Sequence, residues 1–142
     1  MEFLKTKQDF SLISINTPLL SNLNIIENIA LIKEVHETLC IKKAEALSLE
    51  YLQRINFSHI GLLRPIQCNE IEKFYALFIR ALMTKERDVI ILSPLSLLNT
   101  TDEVESIFND LIQLNQENKN ILILDILTNE VHYEGCICHI IK

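Results

Sequence analysis

Two short apolar runs constrain the fold of this chain more than any other feature. Residues 89–92 and 121–124 are continuously apolar, with no alternation of polar side chains. This pattern is typical of strands inside a parallel sheet, where both faces are covered. The segment between them carries apolar residues at helical spacing, namely Val104, Ile107, Phe108, Leu111 and Leu114. A strand, a helix and a second strand in this order predict an α/β domain.

The rest of the chain completes this prediction. Residues 10–15 suggest a further strand, and residues 24–57 have helical apolar spacing with a break near 39–41. Residues 71–83 are apolar on most sides and predict a largely buried helix. Residues 137–141 predict a last strand, which would cover an open edge of the sheet.

Two helix starts are predicted from capping motifs. Asn24 is followed three residues later by Glu27, which is the pattern of a capping box. Thr100 and Glu103 have the same spacing, so we expect a helix to begin at Thr100.

Composition favours one compact domain over residues 1–142. Of the 142 residues, 49% are hydrophobic and 23% are charged, which is typical of a globular protein. No apolar run approaches the roughly 20 residues that cross a bilayer, and the first residues lack the layout of a signal peptide. We therefore expect a cytoplasmic protein. The net charge of −6 argues against a nucleic-acid partner.

The glycine content excludes one class of site. The chain has only Gly61 and Gly135, which are far apart in the sequence. Loops that cradle phosphates need several closely spaced glycines. A glycine-rich phosphate loop is therefore absent from this sequence.

Three segments resemble, in the same order, parts of the ATP-binding subunit of ABC transporters. Residues 13–31, ISINTPLLSNLNIIENIAL, resemble the Q-loop and the helix after it. Residues 71–82, which end in Arg80-Ala81-Leu82, resemble the helix behind the signature motif, and residues 88–94, DVIILSP, resemble the Walker B strand. The resemblance implies a truncated P-loop-NTPase-like domain that begins after the Walker A half. Its small, mainly parallel sheet would place strands near 10–15, 89–92 and 121–125 side by side, with a helical insert at about 24–83.

The same resemblance places unsuitable residues at the chemical positions. Asn16 stands at the Q-loop glutamine, and Asn69 and Glu70 stand in the signature stretch, where Glu70 would repel a phosphate. The Walker B aspartate, the catalytic glutamate and the switch histidine fall on residues that lack their chemistry, namely Leu92, Ser93 and Ile126. A serine hydroxyl cannot act as the general base at neutral pH. We therefore expect a pseudo-ATPase without a bound cofactor.

What the resemblance leaves functional is a docking surface. In the family, the Q-loop cleft and the helical insert receive the membrane permease. The corresponding loop residues here are Asn16, Pro18, Leu19, Leu20, Ser21 and Asn22. Residues 19–31 lean toward the Mla-type lipid-asymmetry or FtsE-type cell-division branch. We expect a passive subunit that binds a permease or another transporter subunit at the inner face of the cytoplasmic membrane.

Three alternatives remain open at this stage. The insert could be simply a packed helical subdomain without a partner. The whole chain could instead be a free-standing cytoplasmic dimer that uses the same fold for protein interaction. The chain could also be an incomplete ATPase whose missing half lies on another polypeptide, although Leu92 and Ser93 argue against this.

Two side-chain groups allow a second interpretation. Four potential zinc ligands lie within eight residues, namely His132, Cys136, Cys138 and His139. In a strand, however, Cys136 and Cys138 share one face and His139 points to the other, so buried structural cysteines are favoured over a metal site. Asp125 ends an apolar strand, where it could be a functional carboxylate or could cap the next turn.

Overall fold

A computed structural model describes residues 9–136 and shows three parallel strands. Strands β1 (Ser11–Ile13), β2 (Asp88–Leu92) and β3 (Asn120–Leu124) lie side by side in the order β1-β2-β3. Ile13 is opposite Ile91, and Ile91 is opposite Ile123. The predicted small parallel sheet and the adjacency of its three strands are confirmed. The predicted strand at 137–141 lies outside the described residues.

Three helices fill the long connection between β1 and β2. They are α1 (Ile25–His36), α2 (Ile41–Arg54) and α3 (Glu70–Leu82), so the predicted break near 39–41 is confirmed. Short 3-10 turns at Ser58–Ile60 and Pro65–Gln67 lead from α2 to α3. The capping box at the start of α1 is also confirmed, because Asn24 Oδ1 accepts from the Glu27 amide and Glu27 Oε1 accepts from the Asn24 amide.

The main core lies between the helices and one face of the sheet. Ile13, Ile91 and Ile123 point into it, as the two-residue period of a strand requires. Helix α3 is its centre, and Phe74, Phe78 and Ile79 are almost fully buried. The prediction that this helix is buried is confirmed.

The chain from β2 to β3 contains a five-residue helix and a longer one. Helix α4 spans Pro94–Leu98, and α5 spans Val104–Leu114 with its predicted inner face buried. The expected capping box at Thr100 is wrong. Thr100 Oγ1 accepts from the Asp102 amide at 3.0 Å and forms a local turn. Glu103 then adopts a left-handed φ of 60°, so the helix begins only at Val104.

Two tyrosines tie the helices of the long connection to the region around α5. The hydroxyl of Tyr51 bonds to Glu117, and that of Tyr75 bonds to Asp110 Oδ2 at 2.5 Å. Burial, followed by the neighbouring carboxylate, raises the pKa of both tyrosines. These bonds fix the helices at both ends of the core.

A buried lysine fastens the amino ends of β2 and β3. Lys119 Nζ donates to the carbonyl oxygens of Thr84 at 2.6 Å and Glu86 at 2.8 Å. The Asn115 amide holds the Lys119 backbone through both its oxygen and its nitrogen. Burial lowers the pKa of Lys119, because the charged form loses hydration.

Candidate functional site

The carboxyl ends of the three strands meet at one edge, which is where open α/β sheets bind ligands. Ser14, Ser93 and Asp125 come directly after β1, β2 and β3. Ser93 has a left-handed backbone, with φ 47° and ψ 59°, and its amide donates to the Leu124 carbonyl at 2.8 Å. This bond continues the pairing of β2 with β3 by one residue at the carboxyl ends of the two strands.

The carboxylate of Asp125 is used inside the chain. One oxygen accepts from the Ile126 amide at 2.8 Å and from Asn129 Nδ2 at 2.9 Å. The other accepts from the Tyr133 hydroxyl at 2.5 Å. Asp125 therefore caps the 3-10 helix Leu127–Tyr133, which decides between its two predicted roles in favour of the structural one.

The remaining positions at this edge offer little chemistry. Leu92 is the last residue of β2 and is half-buried, and Ser93 follows it. Ile126 is 65% exposed after β3. Asn16 is exposed in the loop after β1, and its backbone N–H donates to Ser14 Oγ at 3.1 Å. The structure thus brings together four predicted positions, none of which carries an acid.

Asn69 and Glu70 lie apart from these four, at the start of α3. Asn69 Oδ1 accepts from the Glu72 amide at 2.8 Å, and Glu72 Oε1 accepts from the Asn69 amide at 2.8 Å. Glu70 lies 2.7 Å from Lys73 Nζ. The residues at the predicted signature position thus form a capping box, so the chain's own side chains occupy this helix start.

Residues 14–23, which we call the docking loop, are held in place close to β1. Thr17 Oγ1 accepts from the Ser14 amide at 3.0 Å and lies 3.2 Å from the Leu12 carbonyl, to which it donates. The Arg80 guanidinium donates from α3 to the carbonyls of Thr17 at 2.6 Å and Pro18 at 3.0 Å. Burial lowers the pKa of Arg80. The first half of the loop is therefore attached to the centre of the core.

The second half of the docking loop is held by one buried amide. Asn28 on α1 is 2% exposed, and its Oδ1 accepts from the Leu20 amide at 2.7 Å. Its Nδ2 donates to the carbonyls of Leu20, Leu23 and Asn24 at 3.0, 3.2 and 3.0 Å. The loop thus has a fixed shape before any partner binds.

An apolar groove runs between the docking loop, α3 and α4, with a volume of about 270 Å³. Ser14, Ile15, Pro18 and Leu19 form one wall, and Leu97 closes the end at α4. The opposite wall comes from α3 and the turn before it, namely Pro65, Glu70, Lys73, Phe74 and Leu77. The Ile15 side chain is 83% exposed at this groove, and Glu70 and Lys73 supply its only charges.

The predicted docking residues divide into two groups. Pro18 and Leu19 line the groove. The others are exposed on the loop but do not line it, namely Asn16, Leu20, Ser21 and Asn22. The loop therefore offers both a wall of the groove and an outer surface beside it.

The possible metal ligands are only partly described. His132 lies in the last turn of the 3-10 helix Leu127–Tyr133 and contributes to a wide, open depression beside α5, and Cys136 lies further on. Cys138 and His139 lie outside the described residues. Within residues 9–136, no three or more His, Cys, Asp or Glu side chains are arranged to hold a metal ion.

Sequence reasoning did not assign roles to Arg80 and Asn28, which hold the docking loop. Both carry a signal that could have been used. Arg80 is a charged residue in a helix that is otherwise largely apolar, and Asn28 is a polar residue between the buried Ile25 and Ile29. A polar side chain on a buried face needs hydrogen-bond partners. The backbone groups of the neighbouring loop, which belong to no helix or strand, were the candidates for that role.

Comparison with known proteins gives a likeness of structure. No protein-family model and no curated protein matches the sequence. The dimeric structure of MJ0796, a bacterial ABC transporter cassette, matches with a TM-score of 0.66 and 19% identity, over 86% of this chain and 54% of that one. The fold is that of about half of an ABC cassette.

A second structure of the same cassette supports this. The dimeric post-hydrolysis state of MJ0796 bound to ADP and Pi matches with a TM-score of 0.64 and 19% identity, over 89% of this chain and 56% of that one. This chain spans about half the length of the cassettes it matches. The predicted truncated ABC ATPase-like fold is confirmed. In the described part of the chain, no helix has the length and apolar character to span a membrane.

Proposed function

We propose that this chain is a catalytically inactive ABC ATPase-like subunit that docks on a membrane permease and serves as a scaffold or regulator of a transport complex. The observation that carries the proposal is the apolar groove beside the docking loop. An ABC-cassette fold with a preformed groove, but without chemistry at the strand ends, fits a binding role better than a catalytic one.

The inactivity rests on side-chain chemistry. The last residue of β2 is Leu92, which cannot hold a water on magnesium, and Ser93 cannot serve as a general base at neutral pH. The one carboxylate directly after a strand at this edge, Asp125, caps the next helix. Without a glycine-rich loop, no row of backbone amides is available for phosphates.

The docking role rests on preorganisation. Arg80 and Asn28 fix the docking loop through backbone bonds, so a partner would not have to order it. Preorganised surfaces bind with a smaller entropic cost. The groove is suited to one apolar face of a helix, with Glu70 and Lys73 available to polar groups at its rim. This is the position at which the resembled family receives its permease.

This role implies a location and a branch. The subunit would be peripheral to the membrane, at the cytoplasmic face, and would not bind nucleic acid. Residues 19–31 favour a complex of the Mla-type lipid-asymmetry or FtsE-type cell-division branch. The transporter would then handle a lipid in the first case.

A second candidate function is a free-standing, dimeric cytoplasmic module for protein interaction. Several large apolar side chains are exposed away from the groove, including Val35 at 62%, Ile41 at 61% and Leu127 at 71%. Apolar side chains exposed singly are common on protein surfaces, so these residues would be contacts of such a module only where they meet in one patch.

Purification from gently solubilised membranes of the native host, followed by mass spectrometry, tests the docking. The tagged wild-type chain should recover a permease. Ile15→Asp, at a side chain that is already 83% exposed, should lose it because a carboxylate enters the apolar groove. Val35→Asp, on the far end of α1, is the matched control and should retain it. Recovery of only free protein from the soluble fraction would refute the docking and support the second candidate.

ATPase measurements test the inactivity. The wild-type chain should show no magnesium-dependent ATP hydrolysis and no thermal stabilisation by ATP. The double variant Leu92→Asp and Ser93→Glu should also be inactive, because the phosphate loop is still missing. Hydrolysis by either protein would contradict the proposal and would favour an incomplete ATPase.

A further inference from the structure

Among residues 9–136, the outer edge of β3 has unpaired backbone groups. Asn120 donates its amide to Arg87, and Leu124 accepts from Ser93, so these residues direct their N–H and C=O groups toward β2. Because these directions alternate along a strand, Leu122 also faces β2, whereas Ile121 and Ile123 face outward. In the described part of the chain, neither isoleucine has a backbone partner on that side.

Within residues 121–124, this edge is apolar and carries none of the residues that usually protect a free edge. The residues of β2 that lie beside β3, Val89 to Ile91, are fully buried, whereas residues 121–124 are all only half-buried. Proline, glycine and charged residues are absent from 121–124. Natural proteins usually protect an exposed edge with such residues. An edge of this composition is expected to take a further strand. Residues 137–141, which the sequence predicts to cover an open edge, and a second copy of the chain are the two candidates, and a chain that stays monomeric would favour the first.

The unpaired backbone groups on the outer side of β3 begin at Ile121. Lys119 would be the next outward-facing residue, but its amide and carbonyl are both bonded to the Asn115 side chain. A strand added here therefore has the backbone groups of Ile121 and Ile123 as its central acceptors and donors.

We propose that β3 pairs antiparallel with β3 of a second copy of this chain, around a two-fold axis at Leu122. In this register, Ile121 lies opposite Ile123 of the second copy, and the reverse pair is equivalent by symmetry. Each pair exchanges two hydrogen bonds, so the four outward groups of each copy are used. Leu122 lies opposite its own copy in a pair without hydrogen bonds, where side chains are closest.

Other registers are less favourable for a physical reason. A shift of the pairing by one residue would place outward-facing groups opposite groups that face β2, and the bonds would be lost. Pairing centred on Ile121 would place Ile123 opposite Lys119, and pairing centred on Ile123 would place Ile121 opposite Asp125. Both put an apolar side chain opposite a charged residue.

The charges at the ends of the strand suit self-pairing. With Leu122 on the axis, Lys119 of one copy lies opposite Asp125 of the other, so opposite charges meet at both ends. Both already have partners within the chain, so they favour the register without forming new bonds. Leu122 and Leu124 lie on the sheet face away from the main core, so the Leu122 side chains of the two copies meet on that face.

The proposed interface between the two copies is small, so we expect the dimer to be weak. A pair of five-residue strands buries less than a standard protein interface, so we expect association in the micromolar range. The groove lies at the β1 side of the sheet and β3 is at the other, so the proposal does not depend on the docking function.

Light scattering after size-exclusion chromatography, at about 10 to 500 μM protein, tests the association. The wild type should shift from monomer to dimer over this range. Leu122→Lys and Leu122→Glu should each weaken the dimer about tenfold or more, because like charges meet on the axis. An equimolar mixture of the two should dimerise again. A wild type that stays monomeric, or charge variants that dimerise like the wild type, would overturn the proposal.

Cysteine cross-linking tests the register and does not depend on the charge variants being folded. Leu122→Cys should form a disulfide dimer under mild oxidation, because facing residues of a pair without hydrogen bonds are close enough for a disulfide. Ile121→Cys or Ile123→Cys alone should not, since neither lies opposite itself. The oxidised wild type controls for the native cysteines. Equal cross-linking at all three positions, or none at Leu122→Cys, would overturn the pairing.

Discussion

Replacing Asn28 by alanine should loosen the docking loop without touching the sheet. The Asn28 amide hydrogen-bonds to backbone groups on both sides of the turn at residues 20–24. The loop's other fastening, through Arg80, lies at its first half and remains in place. The change is therefore local to the surface on which we place the partner.

The size of the effect follows from which groups lose their partners. The Leu20 amide loses its acceptor at 2.7 Å, and the Leu23 carbonyl loses its donor at 3.2 Å. The other two carbonyls keep donors, because Leu20 also accepts from the Leu23 amide and Asn24 accepts from the Asn28 amide. Two orphaned groups at about 1 kcal/mol each give a loss of about 2 kcal/mol in the free energy of unfolding.

Urea denaturation gives the free energy, and amide hydrogen exchange locates the change. Exchange at Leu20 should become faster in Asn28→Ala, while exchange in β2 should follow only the global loss. Asn22→Ala, in the same loop but exposed, is the control and should stay within about 0.5 kcal/mol of the wild type. If Asn28→Ala matched this control in both measurements, the reasoning about the loop would be refuted.

An isosteric change adds a pH test of the same contacts. In Asn28→Asp, one oxygen takes the place of the amide nitrogen and faces three carbonyl oxygens, so the fold favours the protonated acid and raises its pKa above about 3.9. A raised folded pKa means that stability is complete below the unfolded pKa and is lost as pH rises through the folded one. Asn28→Asp should therefore be closer to the wild type at pH 4 than at pH 7.

Three other predictions concern the core and can be measured by denaturation. Tyr75→Phe should lower the free energy of unfolding by about 2 kcal/mol below pH 10, because the bond to the Asp110 carboxylate is removed. The folded pKa of Tyr75 is raised, so the wild type loses this extra stability as pH rises well above 10. A difference that stays constant with pH would contradict the assignment. Lys119→Met should lose about 2 kcal/mol, because two backbone carbonyls lose a charged donor, and an unchanged midpoint would show that water replaces it. Gly61→Ala should destabilise by about 1 to 2 kcal/mol, because its Cβ would lie 2.6 Å from Ile26 Cδ1, and a gain in stability would show that this flexible side chain moves away freely.

The sheet and most helices could be predicted from the sequence because their signals are local. Continuous apolar runs gave β2 and β3, and the spacing of apolar residues gave the helices. The Asn24 capping box was predicted correctly because cap and helix are adjacent in the chain. The Thr100 motif has the same spacing and also ends in a glutamate, but Glu103 adopts a left-handed backbone, so the helix begins only at Val104. The residue types alone do not determine the backbone angles that a helix cap requires.

The candidate site was harder to predict from the sequence than the fold, for a different reason. The resemblance indicated the loop that contains Pro18 and Leu19, both of which line the groove. The groove itself also needs Leu97 and the residues of α3, which come from distant parts of the chain. The bonds from Arg80 to the loop likewise depend on tertiary approach. A sequence pattern marks such residues as unusual but does not name their partners.

The separation of β1 from β2 along the chain has a consequence for folding during synthesis. The whole of α1, α2 and α3 lies between them. At translation rates of about 5–20 residues per second, β1 leaves the ribosome several seconds before its partner strand exists. Helices α1 and α2 pack against each other and need no later residues for that contact, so they can form in this interval. The sheet then assembles from β1 outward, and β3 joins last.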